Sequence, residues 1–400
     1  MTERVSIDAQ VVPLSSSKRW RVFAAGCLAH ITHDGFTDML YVFFPIWQQT
    51  FQLSFAGVGL LKALFSGAVS GFQLPAGMLA RRAGTAMLLG LGTVLTSVAL
   101  AAVGFAPSAV VLGALLFLGG LGSSTQHPLS SSAISNTNEG SASRVALSTY
   151  NFTGDIGKLI FPASAAVLIS FAGWRPAMTS MGLCGLIAAA LVVAGLYRIP
   201  LQPARAKDSL NKFSLRSFEN LRSFSAMATI GILDSATRMG FLTFMPFVLR
   251  DKGAGIPTIG LALSLIFAGG ALGKFVCGVL ATRVGILTSV IVTEVATSAF
   301  ICGVIGLNLK GALVLCPLVG IALNGTSSVL YGSVPELVPV EIRNEAFAVF
   351  YTCTIGSGAV SPFIFGIVSD ALGVLVTVAM VAAVALLTLP LTIPLRGKVG

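Results

Sequence analysis

The second half of this sequence repeats the first half at a spacing of 200 to 201 residues. The run Gly-Met-Leu-Ala-Arg-Arg-Ala-Gly at 77–84 matches Gly-Val-Leu-Ala-Thr-Arg-Val-Gly at 278–285, and Asp34 matches Asp234. Solenoid repeats have periods of about 20–50 residues, so this spacing indicates one duplicated module. Duplicated hydrophobic halves carry their substrate sites where the halves meet. The repeat therefore predicts both a fold and the place of a site.

The composition indicates that the module folds in a membrane and not in water. The chain is 55% hydrophobic and 10% charged, whereas a soluble domain carries about 25% charged residues. Twelve apolar stretches are each long enough to cross a hydrocarbon layer of about 30 Å as a helix. We therefore expect an all-α membrane protein, with twelve transmembrane helices in two pseudo-symmetric six-helix bundles. The predicted spans are 22–47, 55–80, 85–106, 109–135, 145–171, 174–197, 224–249, 257–281, 286–307, 311–335, 345–369 and 373–395.

Most of the 25 Lys and Arg residues fall on one side of these spans. By the positive-inside rule this bias puts both termini in the cytoplasm, in a multi-pass protein of the inner (plasma) membrane. This bias accounts for the net charge of +10, so nucleic-acid binding is not needed to explain it. The sequence also contains no nucleic-acid-binding motif. The predicted divisions are a cytoplasmic tail at 1–20, an N-terminal bundle at 21–197, a cytoplasmic linker at 198–222 and a C-terminal bundle at 223–396.

Several other classes of function lack their sequence signals. The six cysteines never form Cys-x-x-Cys and are expected to be small packing residues. The first apolar stretch is too long for a cleaved signal peptide. No Walker-type Gly-x-x-x-x-Gly-Lys is present, so ATP is not the expected driver within this chain. We expect no cofactor, no metal site and no enzymatic activity, in a monomer that meets the lipid bilayer, protons and a small-molecule substrate.

The loop motif carries a resemblance to a known family. Gly-x-Leu-Ala-x-Arg-x-Gly between the second and third helices and again between the eighth and ninth, with a basic central linker, resembles the major facilitator superfamily of secondary transporters. The resemblance covers nearly the whole chain and implies a gating role for the loops. That family usually has Asp where Arg81 and Thr282 stand here. The implied gating residues are Gly77, Arg82, Gly84, Gly278, Arg283 and Gly285.

A narrower resemblance exists to the fosmidomycin-resistance-like exporters. His30-Ile-Thr-His-Asp34 is similar to their His-x-x-x-Asp in the first helix. Gly120-Leu-Gly-Ser-Ser-Thr-Gln-His127-Pro resembles their motif in the fourth helix, although Leu129 stands where that group has an acidic residue. The glycine-rich stretch Gly154-Asp-Ile-Gly157 resembles theirs in the fifth helix. The resemblance implies transport but does not supply a substrate.

Ionisable side chains inside membrane helices are functional candidates because each costs about 2.5–3.5 kcal/mol to insert. His30, Asp34, Asp38 and Tyr41 lie on one face of the first helix by their spacing. A histidine beside two carboxylates can hold a proton; the alternative is a polar stripe that only solvates the cavity or closes a gate. His33 points to another face, where a structural role is favoured. The proton-coupling candidates are Asp34, His30, Asp38, Asp155 and Asp234.

The other membrane charges suggest substrate contacts or internal neutralisation. Asp155 with Lys158, and Asp234 with Arg238, have the spacing of pairs within one helix. The alternative is exchange, in which a proton or an anionic substrate takes one partner. Of the remaining two charges, Lys62 is expected to snorkel to the surface and Glu294 to be peripheral. The substrate-binding candidates are Arg238, Lys158, Tyr41, His127 and Lys274.

These observations favour a proton-coupled secondary transporter that works by alternating access. Its expected substrate is a small polar or anionic organic molecule, a drug or a metabolite, with efflux favoured. The first alternative is a proton symporter that imports a metabolite or siderophore. The second is an intramembrane enzyme or a binding protein that does not transport. Neither a metal cluster nor a nucleophile with a base is evident in the sequence, which disfavours the enzyme.

Overall fold

The apolar stretches all form helices in the computed structural model, which describes residues 14–138, 140–201, 220–339 and 342–398. The predicted tail at 1–20 lies mostly outside these residues, and so does most of the predicted linker at 198–222. The α-helices are α1 Ser16–Phe51, α2 Phe55–Gly71, α3 Gln73–Ala83, α4 Thr85–Val103, α5 Ala109–Ser123, α6 Gln126–Thr137, α7 Gly140–Ala172, α8 Trp174–Leu196, α9 Leu221–Asp251, α10 Ile256–Val284, α11 Ile286–Gly306, α12 Leu309–Ser333, α13 Arg343–Leu372, α14 Val374–Leu386 and α15 Thr388–Leu391.

The prediction of an all-α membrane protein is confirmed. Ten helical segments of the described chain are long and apolar enough to span a membrane, and α2 with α3 forms an eleventh that bends by 45°. The helix α1, at 36 residues, is long enough to be a twelfth span. Its histidines and aspartates lower its mean hydropathy, and it is not among the segments that are apolar enough to span. Exposed apolar side chains such as Phe171 and Val110 form the surface that lipid covers.

Short sequence signals set the helix ends. Ser54 accepts a hydrogen bond from the backbone of Gly57 at 3.0 Å, and Asn308 accepts one from Gly311 at 2.9 Å, as N-cap residues do. Gly84 and Gly285 adopt φ of +91° and +84° between consecutive helices, a backbone conformation that favours glycine. These two glycines of the repeated loop motif are therefore required by the chain reversal itself.

The bend between α2 and α3 has a local cause that its repeat mate lacks. Pro75 has no backbone N–H and its ring clashes with the carbonyl four residues earlier, which belongs to Gly71, the last residue of α2. The matching position in the second half is Val276, and α10 continues through it without a break. The sequence repeat thus predicts the two spans but not this difference between them.

The two halves meet along two symmetry-related helix pairs, α2 with α13 and α7 with α10. Glycines allow the close approach. A Cβ at Gly59 would clash with the backbone carbonyl of Pro362, and a Cβ at Gly260 would clash with Ala166 and crowd the carbonyl of Pro162 at 3.0 Å. Gly59 and Gly260 are repeat mates, as are Pro162 and Pro362. The same contact is therefore made twice, once on each side of the pseudo-two-fold axis.

The two ends of this interface differ. At the end that carries the α1–α2 and α9–α10 loops, one buried apolar cluster contains side chains of both halves, among them Phe44, Trp47, Phe244 and Phe247. At the other end the buried apolar residues form separate clusters within each half. We call the first end the closed face. It is the end at which the halves are locked together.

Two polar contacts cross the closed face. The Asp370 carboxylate, near the end of α13, accepts hydrogen bonds from the backbone N–H groups of Phe55 at 2.6 Å and Ala56 at 2.9 Å. A carboxylate is favourable at these first N–H groups of α2, both as an acceptor and through the helix dipole. Arg250 donates to the Pro45 carbonyl at 3.1 Å and to the Gln48 side chain at 3.2 Å.

We predict that Asp370→Asn loosens the closed face without unfolding the protein. The amide replaces charge-assisted hydrogen bonds with weaker ones, which shifts the opening equilibrium by about 10-fold. In a Trp20→Phe background, iodide quenching of the remaining tryptophans, Trp47 and Trp174, should increase. Asp251→Asn removes another acidic side chain from the same end and serves as the control. Equal quenching in the two variants would contradict the locking role of Asp370.

Candidate functional site

The charged cluster centres on the carboxylate of Asp34 in the middle of α1. Three basic groups from three helices surround it. His30 Nε2 lies 3.2 Å from Oδ2, His127 Nε2 of α6 lies 3.3 Å from Oδ1, and Lys158 Nζ of α7 lies 3.3 Å from Oδ2. Asp34 and His30 are buried, while the His127 side chain is 38% exposed. His30 and Asp34 therefore meet because of their spacing on α1, whereas His127 and Lys158 reach the carboxylate through the packing of α6 and α7 against α1.

His30 is oriented by its second ring nitrogen. Nδ1 lies 2.8 Å from the backbone carbonyl of Tyr150, and the ring stacks on the Tyr150 ring at 4.2 Å. Because a carbonyl oxygen only accepts, Nδ1 must carry the hydrogen. Nε2 then faces the Asp34 carboxylate with its lone pair, unless a further proton lies between them. The contact at 3.2 Å is a hydrogen bond only in the protonated pair.

Gly154 of α7 makes room for this pair. A Cβ at this position would lie 2.5 Å from His30 Nε2 and 2.8 Å from Asp34 Oδ2. Gly157 similarly lets α7 approach the backbone of Ile31 on α1. The glycine-rich stretch noted in the sequence therefore has a physical reason, because any side chain at 154 would displace the histidine or the carboxylate.

The Asp34 cluster also has the outline of a metal site, since one donor atom each of His30, Asp34 and His127 lie within 4.8 Å of one another. The Lys158 ammonium, however, is 3.3 Å from the same carboxylate. A divalent metal ion at this carboxylate would meet about twice the electrostatic repulsion from the ammonium that a singly charged imidazolium of His30 meets.

A second ion pair joins the two halves. Lys274 Nζ of α10 lies 2.7 Å from both carboxylate oxygens of Asp155 on α7. The pairing of Asp155 with Lys158 within one helix, one of the two alternatives from the sequence, is not made. Each residue reaches instead to another helix, Asp155 to Lys274 and Lys158 to Asp34. Local spacing cannot show this, because the partners are more than 100 residues apart.

A cavity of about 180 Å³ lies between the halves. Its charged lining comes from Asp38 of α1, Asp155 and Lys158 of α7, and Arg238 of α9, and its apolar lining includes Phe267. Arg238 donates to the Ser327 hydroxyl at 3.1 Å, and its Nε has no hydrogen-bond partner within the described residues. Four residues predicted to bind protons or substrate thus line one space at the interface.

Asp234 is not paired with Arg238 within 4.0 Å in the described part of the chain. Its carboxyl group lies close to that of Glu294 on α11, and Glu294 is 1% exposed. The sequence-based expectation that Glu294 is peripheral is therefore wrong. The surrounding apolar sequence of α11 gives no sign that Glu294 faces α9, and no residue spacing in the sequence indicates this contact.

The structure places the other polar residues of α1 and α2 as follows. His33 is buried between the hydroxyls of Ser123 and Thr93, at 2.9 and 3.1 Å, which fits a structural role. Tyr41 is buried and its hydroxyl donates to the Met239 sulfur at 3.3 Å, outside the cavity lining. The Lys62 side chain is fully buried, with Nζ 3.3 Å from the Thr37 carbonyl and 4.3 Å above the Tyr41 ring. The expectation that Lys62 snorkels is wrong.

In the repeated loop motif, Arg82 and Arg283 are exposed. A Cβ at Gly77 or Gly278 would meet open space, so packing does not require these two glycines. The gating role that the family resemblance implies for these loops stays a prediction.

A duplicated helical membrane protein with a charged cavity between its halves has the architecture of a secondary transporter. The family model of the Major Facilitator Superfamily matches residues 26–231 and 227–398. The chain belongs to this superfamily, and is a transporter rather than an enzyme. Among curated proteins, none matches the sequence significantly.

The fold is also shared with solved transporters. A bacterial homologue of the human lysosomal transporter Spinster, inward-facing and occupied, is 18% identical with a TM-score of 0.81, over 94% of this chain and 97% of that one. Its inward-facing, unoccupied form gives a TM-score of 0.74 at the same identity, over 94% and 95%. A point mutant of the nucleoside transporter NupG is 12% identical with a TM-score of 0.73, over 93% and 98%. At these identities the likeness concerns the fold.

We predict that Asp155 and Lys274 stabilise the interface as a pair. In a double-mutant cycle with Asp155→Asn and Lys274→Met, measured by thermal unfolding in detergent, their coupling should be about 1 kcal/mol, because the lysine side chain is partly exposed. Asp38→Asn combined with Lys274→Met is the control and should be additive within about 0.5 kcal/mol. Additive effects in the first cycle would show that the ion pair contributes nothing to the association of the halves.

Proposed function

We propose that this chain is a proton-coupled secondary transporter of a small polar or anionic organic molecule, and that it exports this molecule across the inner membrane. The observation that carries the proposal is the His30–Asp34 contact, which is attractive only with a proton between the two groups. Loss of that proton makes the contact repulsive and changes the charge at the carboxylate that also holds His127 of α6 and Lys158 of α7. Protonation is therefore linked to the packing of α1 against these two helices. Alternating access follows when this link favours one conformation of the two halves over the other.

The cavity supports the substrate class. Arg238 presents a planar fork suited to a carboxylate or phosphonate, and Lys158 presents a point charge. Both line the cavity between the halves, and Lys158 is also held by the proton-binding carboxylate of Asp34. A substrate anion that attracts Lys158 competes with Asp34 for the same ammonium. Substrate and proton therefore act on one shared lysine.

Export is favoured by the resemblance of the His30, His127 and Gly154 motifs to the fosmidomycin-resistance-like exporters. Asp34 and His30 hold the coupling proton, with Asp155 and Asp234 as further carboxyl groups in the two halves. Import of a metabolite or siderophore by proton symport is the alternative. We place both termini in the cytoplasm from the Lys and Arg bias.

The central test is Asp34→Asn in proteoliposomes. Wild-type protein should deplete or accumulate specific compounds from a ¹³C-labelled cell extract, measured by mass spectrometry, when a pH gradient is imposed. Asn cannot take up and release a proton, so we expect gradient-driven accumulation to fall by about 100-fold or more. Exchange of the same compounds without a gradient should persist, because exchange needs no net proton transfer.

The controls separate coupling from folding. Asp251→Asn should behave as wild type. Removal of Asp34 leaves Lys158 without its ion-pair partner, so Asp34→Asn with Lys158→Gln tests whether any loss of folded protein comes from that unpaired charge. Full gradient-driven accumulation by folded Asp34→Asn would contradict the proposal.

The proposed topology is tested separately by fusions. Green fluorescent protein attached after residue 400 should fluoresce, whereas alkaline phosphatase should be active when inserted at 52–54 and inactive at 84. The reverse pattern would contradict the assignment of the termini to the cytoplasm.

A further inference from the structure

The cavity between the halves presents two charges of opposite sign that have no ion-pair partner within 4.0 Å among the described residues. Four charged residues line it, and two of these have ion-pair partners: Lys158 pairs with Asp34, and Asp155 pairs with Lys274. Within the described residues, the Asp38 carboxylate has neither a hydrogen bond nor an ion pair, although it is 6% exposed. In the same part of the chain, Arg238 donates to the Ser327 hydroxyl and its Nε has no partner. Among the described residues, Asp38 and Arg238 are therefore the charged groups of the cavity lining without an ion-pair partner.

The positions of Asp38 and Arg238 are related by the sequence repeat. They lie 200 residues apart, on α1 and α9, and occupy matching places in the two halves. The cations Lys62, Lys158 and Arg238 act on Asp38 from beyond ion-pair distance. Of these, Lys62 and Lys158 have other partners. Divergence of one repeated position has thus set an acid and a guanidinium on opposite sides of the pseudo-two-fold axis.

We propose that the substrate is zwitterionic, with a cationic amine that meets Asp38 and a carboxylate, phosphonate or phosphate that meets Arg238. When the cavity closes and expels water, a substrate with only a negative charge leaves Asp38 buried without a partner. A substrate with only a positive charge does the same to Arg238. Unpaired buried charges are strongly unfavourable, so closure selects the molecule that satisfies both.

The cavity also defines the middle of such a molecule. Besides the charged groups, Met239, Leu242 and Phe267 line the cavity, and the Asn324 side chain is a neutral polar contact. The Arg238 fork has donors free for a bidentate contact with an oxyanion. The substrate class is therefore a compact apolar body that carries an amine and an acid group. This inference rests on the proposed transport function and names its substrate class.

The test compares matched ligands on purified protein in detergent, by ligand-dependent shift of thermal unfolding. The probes are phenylalanine with 3-phenylpropanoate and 2-phenylethylamine, and 6-aminohexanoate with hexanoate and hexylamine. At least one zwitterion should bind wild-type protein about 10-fold more tightly than both of its singly charged counterparts. Because binding in detergent needs no gradient, loss of coupling and loss of zwitterion preference are separate results.

Two variants assign the contacts. Asp38→Asn should reduce binding of the zwitterion to the level of its anionic counterpart, with anion binding unchanged or stronger. Arg238→Gln should abolish binding of both, and Arg238→Lys should restore part of it, which distinguishes a lost contact from a misfolded variant. Asp251→Asn is the matched control. The proposal is overturned if neither zwitterion binds at millimolar concentration, if the anions bind equally well, or if Asp38→Asn leaves the preference unchanged.

Discussion

The buried carboxylate of Asp34 is the constraint on which the N-terminal half depends. A charge at this depth is costly, and the structure meets the cost with basic groups from α1, α6 and α7 at 3.2 to 3.3 Å. Packing follows from this arrangement. Gly154 has to be a glycine for His30 and Asp34 to fit beneath α7, and Tyr150 has to present its carbonyl for His30 to be oriented. Function and packing share the same residues here.

The two halves use the repeat in different ways. Backbone contacts are kept in duplicate, as between Gly59 and Pro362 and between Gly260 and Pro162. The charges have diverged. The N-terminal half surrounds Asp34 with three basic groups, whereas its mate Asp234 lies close to a second carboxyl group, that of Glu294. The Asp155–Lys274 pair and the Asp370 contact each cross the interface once. A symmetric scaffold thus carries an asymmetric set of charges.

The sequence predicts the fold well because periodicity and hydrophobicity are local properties. The twelve spans, the two bundles and the stripe of His30 and Asp34 all follow from residues within one helix or from the repeat spacing. The partners across helices do not. Asp155 and Lys158 have the spacing of a pair, yet each bonds a residue of another helix. Lys62 is buried because the Thr37 carbonyl and the Tyr41 ring receive it, and neither is its neighbour in sequence.

The most direct measurement of the central claim is ¹⁵N NMR of the imidazole rings, since the chain has only three histidines and His30→Gln assigns the relevant signal. We predict that the neutral His30 ring carries its hydrogen on Nδ1, because Nδ1 lies 2.8 Å from the Tyr150 carbonyl, which can only accept. A His30 ring that carries its hydrogen on Nε2 at alkaline pH, with Nδ1 bare, would contradict the shared proton between His30 and Asp34.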